Sequence, residues 1–295
     1  MTFFIDSAIT DDIEFALDKL QVVEPRVLGF FGGITTNPNA MSKAGVTSFR
    51  EMKTHLLNLD AFLQEKRLNK SHQWNQLEIH VQLPISTMSS GAAAEFIRSI
   101  LDLQLRSSVI FKFPPNLHLL SRIPSRLDIA VNITGLTSVQ DCELMFMSPK
   151  VKYSSLIIGR MEEAGIDATS HLRRCKEYSM FRYNNDIKQT RRIITGSMRT
   201  PKQVIAATHA STIPTIGRKV WDLMTEEDCK LFADQFLSPI TVVFPSNRLL
   251  PISIDDRNIK LTNDFFEQMD AFGQPIFDTF VGDKIMEYTT KLYGR

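Results

Sequence analysis

The sequence predicts an α/β fold, a single (β/α)8 TIM barrel with additional C-terminal helices. Eight short apolar segments with strand-like alternation are spread over about the first 217 of the 295 residues. Helix-length stretches with apolar residues three and four positions apart lie between most of these segments. Strands that alternate with helices indicate a parallel sheet covered by helices, and eight such units indicate a closed barrel.

Most of the eight predicted strands end in a polar or turn residue. In chain order they are FFID (3–6), FFGGIT (30–35), LEIHVQL (77–83), VIFKF (109–113), LDIAVNIT (127–134), YSSLIIG (153–159), RIITGS (192–197) and TIPTIG (212–217). The helical stretches between them include DDIEFALDKL, FREMKTHLLNLDAFLQ, GAAAEFIRSILDLQL and PKQVIAATHA.

The chain beyond the eighth strand continues with helical pattern. We expect residues 218–295 to form closing helices that pack on the barrel, with the proline-rich PSNRLLP (245–251) as a surface crossing. No linker, repeat or low-complexity segment interrupts the sequence. The prediction is therefore one domain over residues 1–295, with the barrel over about 1–217.

Composition and charge exclude several classes of partner. The 34 basic and 33 acidic side chains nearly cancel, so no net field favours nucleic acid or an anionic membrane. No run approaches 18 apolar residues, which argues against a membrane span. The three cysteines are few, odd in number and far apart, which favours reduced thiols. Because MTFFIDSAITDD also lacks the apolar segment of a signal peptide, we expect a cytoplasmic protein.

The alternation of side chains along the strands separates an apolar face from a face that carries single polar groups. Residues two apart in a strand share a face. The polar faces hold Asp6, His80, Gln82, Lys112, Asn132, Thr134, Ser155, Thr195 and Ser197. In a barrel, such residues near the carboxyl ends of the strands converge on the lumen at the catalytic end.

Lys112 stands in the middle of the apolar run VIFKFPPN (109–116). In the structural interpretation, Lys112 lies in an edge strand, or its aliphatic stem reaches back so that the ammonium group is in water. The functional interpretation is that an apolar lumen disfavours the ammonium and leaves a free amine, which can attack a carbonyl. A free amine at Lys112 and a nearby carboxylate at Asp6 that transfers protons are the two groups that Schiff-base chemistry needs.

A second group of residues predicts an anion site. SMRTPKQ (197–203) follows the seventh strand and opens a helix, with Thr200 at the N-cap position. A helix N-terminus beside Ser197 and Arg199 suits a phosphate, and Arg160 follows the neighbouring sixth strand. A lone arginine after a strand is otherwise a surface ion-pair partner.

The histidines and glycines do not indicate a metal or nucleotide site. The six histidines show no ligand spacing, and neither a dinucleotide-binding fingerprint nor a P-loop is present. His80 shares a face with Gln82, one layer deeper in the predicted barrel, where a structural role is expected.

These motifs resemble the transaldolase and fructose-6-phosphate aldolase family, a class I aldolase group built on the (β/α)8 barrel. The matching segments are FIDSA around Asp6, GITTNPNAMSK (33–43), KFP at Lys112, VNIT (131–134), SLIIGRM (155–161) and GSMRTPKQ (196–203). They run in the family's order over most of the chain, and GITTNP is the most specific single match.

The resemblance implies a role for each matching residue. Lys112 would form the Schiff base with a ketose phosphate, Asp6 would transfer the proton of the C4 hydroxyl, and Gln82 and Thr134 would hold the water that relays protons. The bound three-carbon unit would contact Thr36, Asn37, Asn132 and Ser155, and the phosphate would contact Arg160, Ser197 and Arg199. No metal or organic cofactor is implied, because the iminium is the electron sink.

The resemblance also bears on partners. Sugar phosphates are the implied substrates, and neither nucleic acid nor membrane is an expected partner. The C-terminal helices of the family often pack against a neighbouring subunit, so a homo-oligomer is among the expected assemblies.

Two departures from the family pattern keep alternatives open. Gln82 stands where many transaldolases carry glutamate and the aldolase branch carries glutamine. Ile157 stands where the aldolase branch carries a tyrosine that can protonate the enamine. We therefore predict transfer of a dihydroxyacetone unit between sugar phosphates. The alternatives are an aldolase that releases dihydroxyacetone and a non-catalytic barrel that binds sugar phosphates.

Overall fold

The barrel is closed by eight parallel strands in sequential order. A computed structural model describes residues 2–69, 76–184, 192–237 and 256–293. Each strand in this part of the chain pairs with the next one, and β8 returns to β1. This arrangement with surrounding helices confirms the predicted fold class.

The elements have the following bounds. The strands are β1 Phe3–Asp6, β2 Phe31–Thr35, β3 Glu78–Gln82, β4 Ser108–Phe113, β5 Ala130–Leu136, β6 Val151–Leu156, β7 Arg192–Thr195 and β8 Ile213–Ile216. The helices are α1 Thr10–Val23, α2 Pro38–Lys43, α3 Phe49–Asn69, α4 Ser90–Leu101, α5 Leu117–Arg122, α6 Val139–Met145, α7 Ile158–Glu163, α8 Ala168–Asn184, α9 Pro201–His209, α10 Arg218–Leu223, α11 Glu226–Leu237 and α12 Asp256–Tyr293. A 3-10 helix, Pro25–Phe30, precedes β2.

Alternation along the strands produces two apolar regions. The outward side chains, such as Phe3 and Phe111, belong to the large core between the barrel and its helices. The inward side chains form a separate layer inside the barrel. This layer consists of Phe4, Ile110, Tyr153, Ile194 and Ile213. The predicted parity is confirmed for β1 and β4, where Phe4 and Ile110 lie inward.

The predicted parity of β7 is wrong. Ile194, expected to face outward, lies in the inner layer. The hydroxyl of Thr195 lies 3.0 Å from the hydroxyl of Thr212, which donates to the carbonyl of Ala207 in α9 on the outer side. The strand ends at Thr195, and Ser197 has a φ of 54°, in the left-handed region. Alternation does not continue through such a residue, so Ser197 still reaches the lumen.

The C-terminal helix α12 lies across the loops that follow β3 and β5. The amide of Asn258 donates to the carbonyl of Thr137 at 2.8 Å. Gly273 approaches the β3 loop so closely that a Cβ there would lie 1.6 Å from the carbonyl oxygen of Pro84. This contact requires glycine, and it holds α12 against the mouth of the barrel.

The structure describes part of the region after β8, which was predicted to form closing helices. Residues 218–237 form α10 and α11, and α11 packs beside α9. The predicted crossing PSNRLLP (245–251) lies outside the described residues. None of the helices in the described ranges has the length and apolar character needed to cross a membrane.

Candidate active site

A cavity opens at the carboxyl ends of the strands. Its volume is about 390 Å³, which includes space open to solvent. Most of the predicted site residues line it, namely Asp6, Asn37, Lys112, Asn132, Thr134, Ser155 and Ser197. The alternation of side chains therefore brings together residues from β1, β4, β5 and β6 and from the loops after β2 and β7.

Lys112 lies in the wall of this cavity with only 6% of its surface exposed. Its Nζ donates to the backbone carbonyl of Thr36 at 2.9 Å. Burial lowers the pKa of Lys112, and the negative charge of Asp6 opposes this effect. A lowered pKa increases the fraction of free amine, which is the nucleophilic form.

Asp6 is held by hydroxyl and amide donors at the end of β1. The hydroxyl of Thr35 donates to Asp6 Oδ1 at 2.8 Å. The hydroxyl of Thr215 lies 2.7 Å from the hydroxyl of Thr35. Because Thr35 uses its proton for Asp6, Thr215 is the donor in this second hydrogen bond. The amide nitrogen of Asn37 approaches the same carboxylate oxygen at 3.5 Å, while Asn37 Oδ1 caps α2 by accepting from the backbone N–H of Ala40. These contacts orient the carboxylate beside the cavity.

Asn132 and Ser155 form a buried pair on the neighbouring strands β5 and β6. The hydroxyl of Ser155 donates to Asn132 Oδ1 at 2.7 Å. Asn132 is the register partner of Lys112. The pair therefore lies directly beside the amine.

Two predicted site residues, Thr36 and Gln82, are not among the residues that line the cavity in the described part of the chain. The hydroxyl of Thr36 donates to the carbonyl of His80 at 2.8 Å, so Thr36 offers its backbone carbonyl to Lys112 and not its side chain to a substrate. Gln82 is the register partner of Lys112 on β3 and is buried. Its Oε1 has no hydrogen-bond partner among the residues that the structure describes.

The loop after β7 has the predicted helix start. Thr200 caps α9 by accepting from the backbone N–H of Gln203, whose side chain accepts from the backbone N–H of Thr200. This loop touches the start of α7, because a Cβ on Gly159 would lie 1.8 Å from the carbonyl oxygen of Ser197. This close approach explains why residue 159 is a glycine. It also brings the predicted anion-binding residues together.

The two arginines of the predicted anion site are near each other, but each has a partner. Arg199 Nε donates to Glu163 at 2.7 Å. Arg160 donates to Gln268 of α12 at 2.5 Å and lies 5.1 Å from the ring centroid of Phe265. Burial and the positive charge of Arg199 lower the pKa of Arg160. Neither arginine is among the residues that line the cavity in the described part of the chain. Each guanidinium keeps N–H groups outside these pairs, and Arg160 Nε has no hydrogen-bond partner among the described residues.

Several residues of the site were not predicted from the sequence. Thr35 and Thr215 form the hydrogen bonds that hold Asp6. Their positions near the ends of β2 and β8 could have identified them as residues of the barrel mouth. Ile194 and Phe265 also line the cavity. Phe265 comes from α12, and nothing in the local sequence pattern relates it to the barrel mouth.

The sequence predicted no metal site. Within residues 2–69, 76–184, 192–237 and 256–293, no group of three His, Cys, Asp or Glu side chains is arranged to hold an ion.

Comparisons with known proteins relate the chain to transaldolases. No family profile matches it. A probable transaldolase of Syntrophobacter fumaroxidans is 25% identical over 227 residues, which cover 75% of this chain and 88% of that protein. A probable transaldolase of Streptococcus pyogenes is 26% identical over 247 residues, which cover 81% of this chain and 99% of that protein.

One solved structure that aligns with this chain is not named as a transaldolase. Dihydrodipicolinate synthase of Rhodopseudomonas palustris aligns with a TM-score of 0.44 and 11% sequence identity, over 99% of this chain and 87% of that chain. The curated relatives and the closed eight-stranded barrel together confirm that this chain resembles the transaldolase family.

Proposed function

We propose that this chain is a transaldolase-type transferase that moves a dihydroxyacetone unit from a ketose phosphate to an aldose acceptor. The observation that carries the proposal is the buried amine of Lys112 in the cavity wall, with the carboxylate of Asp6 in the same cavity. An amine with a lowered pKa and a nearby proton carrier are what Schiff-base catalysis needs.

The reaction begins with attack of the free amine of Lys112 on the C2 carbonyl of the ketose phosphate. The carbinolamine then loses water and becomes an iminium. Gln82 and Thr134 are the residues we assign to this water. The unpartnered Oε1 of Gln82, beside Lys112 in the register, can accept a hydrogen bond from it.

Carbon–carbon cleavage follows from the iminium. Asp6 takes the proton of the C4 hydroxyl, the C3–C4 bond breaks, and its electron pair moves into the iminium to give an enamine. The aldose phosphate leaves. The enamine then attacks the carbonyl carbon of an acceptor aldehyde, Asp6 returns a proton to the new hydroxyl, and hydrolysis frees the amine. Asn37, Asn132 and Ser155 hold the three-carbon unit throughout.

The apolar side chain of Ile157 in the cavity wall favours transfer over release. Ile157 lines the cavity and packs with Phe265 and Met269 of α12. An isoleucine at this position has no hydroxyl to protonate the enamine, so discharge of free dihydroxyacetone is slow. Gln82 favours the second candidate, an aldolase that releases dihydroxyacetone, because it matches the aldolase branch of the family.

A trapping experiment tests the proposal. Borohydride reduction in the presence of fructose 6-phosphate is expected to leave a three-carbon adduct on Lys112, identified by intact mass and peptide mapping. Turnover is then measured with and without an acceptor aldose. We expect turnover only with the acceptor. Absence of an adduct with every ketose phosphate tried would contradict the Schiff base, and turnover without an acceptor would establish the aldolase.

The phosphate site gives a prediction with a matched pair of variants. Arg199→Ala is expected to raise the KM for fructose 6-phosphate about tenfold, because a charge-assisted hydrogen bond to the phosphate is lost. Glu163→Gln is expected to lower the same KM, because it frees Arg199 from its carboxylate partner. Free dihydroxyacetone, which carries no phosphate, is the control donor. Equal changes for both donors would contradict the assignment of Arg199.

A further inference from the structure

We propose that His80 is a positioning residue that fixes the orientation of the Asn132 carboxamide in the cavity. The inference rests on the proposed function, in which Asn132 holds the three-carbon unit. It extends the sequence interpretation of His80 as a structural residue. A line of hydrogen bonds runs from the interior of the barrel to the cavity.

The line joins four residues on three strands. Glu78 Oε2 lies 3.1 Å from His80 Nε2. His80 Nδ1 lies 3.2 Å from Asn132 Nδ2. The line ends at the hydroxyl of Ser155, which donates to Asn132 Oδ1 at 2.7 Å.

The charge of Glu78 determines which nitrogen of His80 carries the proton. Burial acts to raise the pKa of Glu78, but hydrogen bonds from His80 and Lys152 lower it to about 2, so this carboxylate is an acceptor only. Burial is the largest influence on the pKa of His80 and lowers it, while the carboxylate of Glu78 acts to raise it, so the net direction favours the neutral ring. A neutral ring must then donate from Nε2 to Glu78 and accept at Nδ1.

The acceptor at Nδ1 in turn determines the orientation of Asn132. Only the amide nitrogen of Asn132 can donate to His80 Nδ1, so the amide oxygen faces Ser155. Reversal of the amide would place its oxygen against the unprotonated Nδ1. The neutral His80 ring therefore selects one of the two orientations of a residue that lies beside Lys112.

The surroundings of His80 prevent it from turning. Its side chain is fully buried, with the ring of Phe4 at 4.6 Å and the ring of Tyr153 at 5.2 Å between centroids. Glu78 is held as well, because Lys152 and the hydroxyl of Tyr153 both donate to its Oε1. The line is not a proton path, because the Asn132 amide does not pass protons onward. Its effect is on geometry.

Two variants of nearly equal size separate positioning from packing. In His80→Asn, the amide oxygen can replace Nδ1 as the acceptor for Asn132, whereas His80→Leu offers no acceptor. We expect His80→Leu to lower kcat about 10- to 100-fold with little change in KM, because a misplaced contact costs rate. His80→Asn is expected to recover most of that loss. Equal losses of kcat in the two variants would overturn the inference.

Glu78→Gln tests the same line without altering His80. The ammonium of Lys152 requires an oxygen, so the new amide turns its nitrogen toward His80 Nε2 and the ring proton moves to Nδ1. Nitrogen-15 NMR of the imidazole is expected to show Nε2–H in the wild type and Nδ1–H in Glu78→Gln. An unchanged tautomer would contradict the chain of hydrogen bonds, even if His80→Leu failed to fold.

A readout that needs no turnover distinguishes this inference from the proposed function. The side-chain NH2 signal of Asn132, assigned by its loss in Asn132→Asp, is followed by hydrogen exchange. We expect slow exchange in the wild type and His80→Asn and fast exchange in His80→Leu. Equal exchange in all three proteins would overturn the positioning role. Absence of turnover and adduct in the wild type would overturn only the proposed reaction.

Discussion

Replacement of Lys112 by methionine is expected to lower kcat/KM for ketose phosphates by at least about 10⁴-fold, because no other amine lines the cavity among the residues that the structure describes. Methionine has a similar length and no charge, so it suits a site that is 6% exposed. The same variant is expected to leave no borohydride adduct in the intact mass spectrum. A midpoint of thermal unfolding for Lys112→Met equal to or above that of the wild type would show that the loss of activity comes from the missing amine and not from unfolding.

Lys150→Met is the matched control for this variant. Lys150 also donates to a backbone carbonyl, that of Ile123 at 2.5 Å, and burial also lowers its pKa. It precedes β6, at the opposite end of the barrel from the cavity. We expect wild-type turnover and a wild-type adduct. An adduct that persists in Lys112→Met would remove Lys112 from the reaction.

The second large effect is expected from Asp6→Asn. The amide keeps an oxygen for the Thr35 hydroxyl but cannot take the proton of the C4 hydroxyl. Loss of a general base typically costs 10²- to 10⁴-fold in rate, so we expect a fall in kcat of about that size. Because the iminium still forms, borohydride is expected to trap the whole ketose phosphate on Lys112 in place of the three-carbon unit.

The mass of the trapped adduct decides this prediction. Formation of the three-carbon adduct at the wild-type rate in Asp6→Asn would show that another group takes the proton. Asp12→Asn serves as the control, since Asp12 lies in α1, accepts from the hydroxyl of Ser7 before that helix, and is not among the described residues that line the cavity. Its adduct is expected to match that of the wild type.

Local alternation was sufficient to predict where Lys112, Asp6 and Asn132 face, because each lies in a regular strand that ends in the barrel mouth. The same rule failed in β7. There the strand stops at Thr195 and the backbone turns through the left-handed φ of Ser197, which a period of two does not describe. The helix cap at Thr200 was predictable, since capping depends on residues within one turn.

By itself, the sequence determined the barrel, the inward position of the amine and the carboxylate, and the resemblance to transaldolases. These depend on periodicity and on short motifs, which are local properties of the chain. Only the tertiary structure decided that Arg199 pairs with Glu163, that Phe265 and Gln268 of α12 reach the barrel mouth, and that His80 joins Glu78 to Asn132. Each of these contacts joins different elements of the fold, and its partners meet only after the barrel has closed and α12 has docked across it.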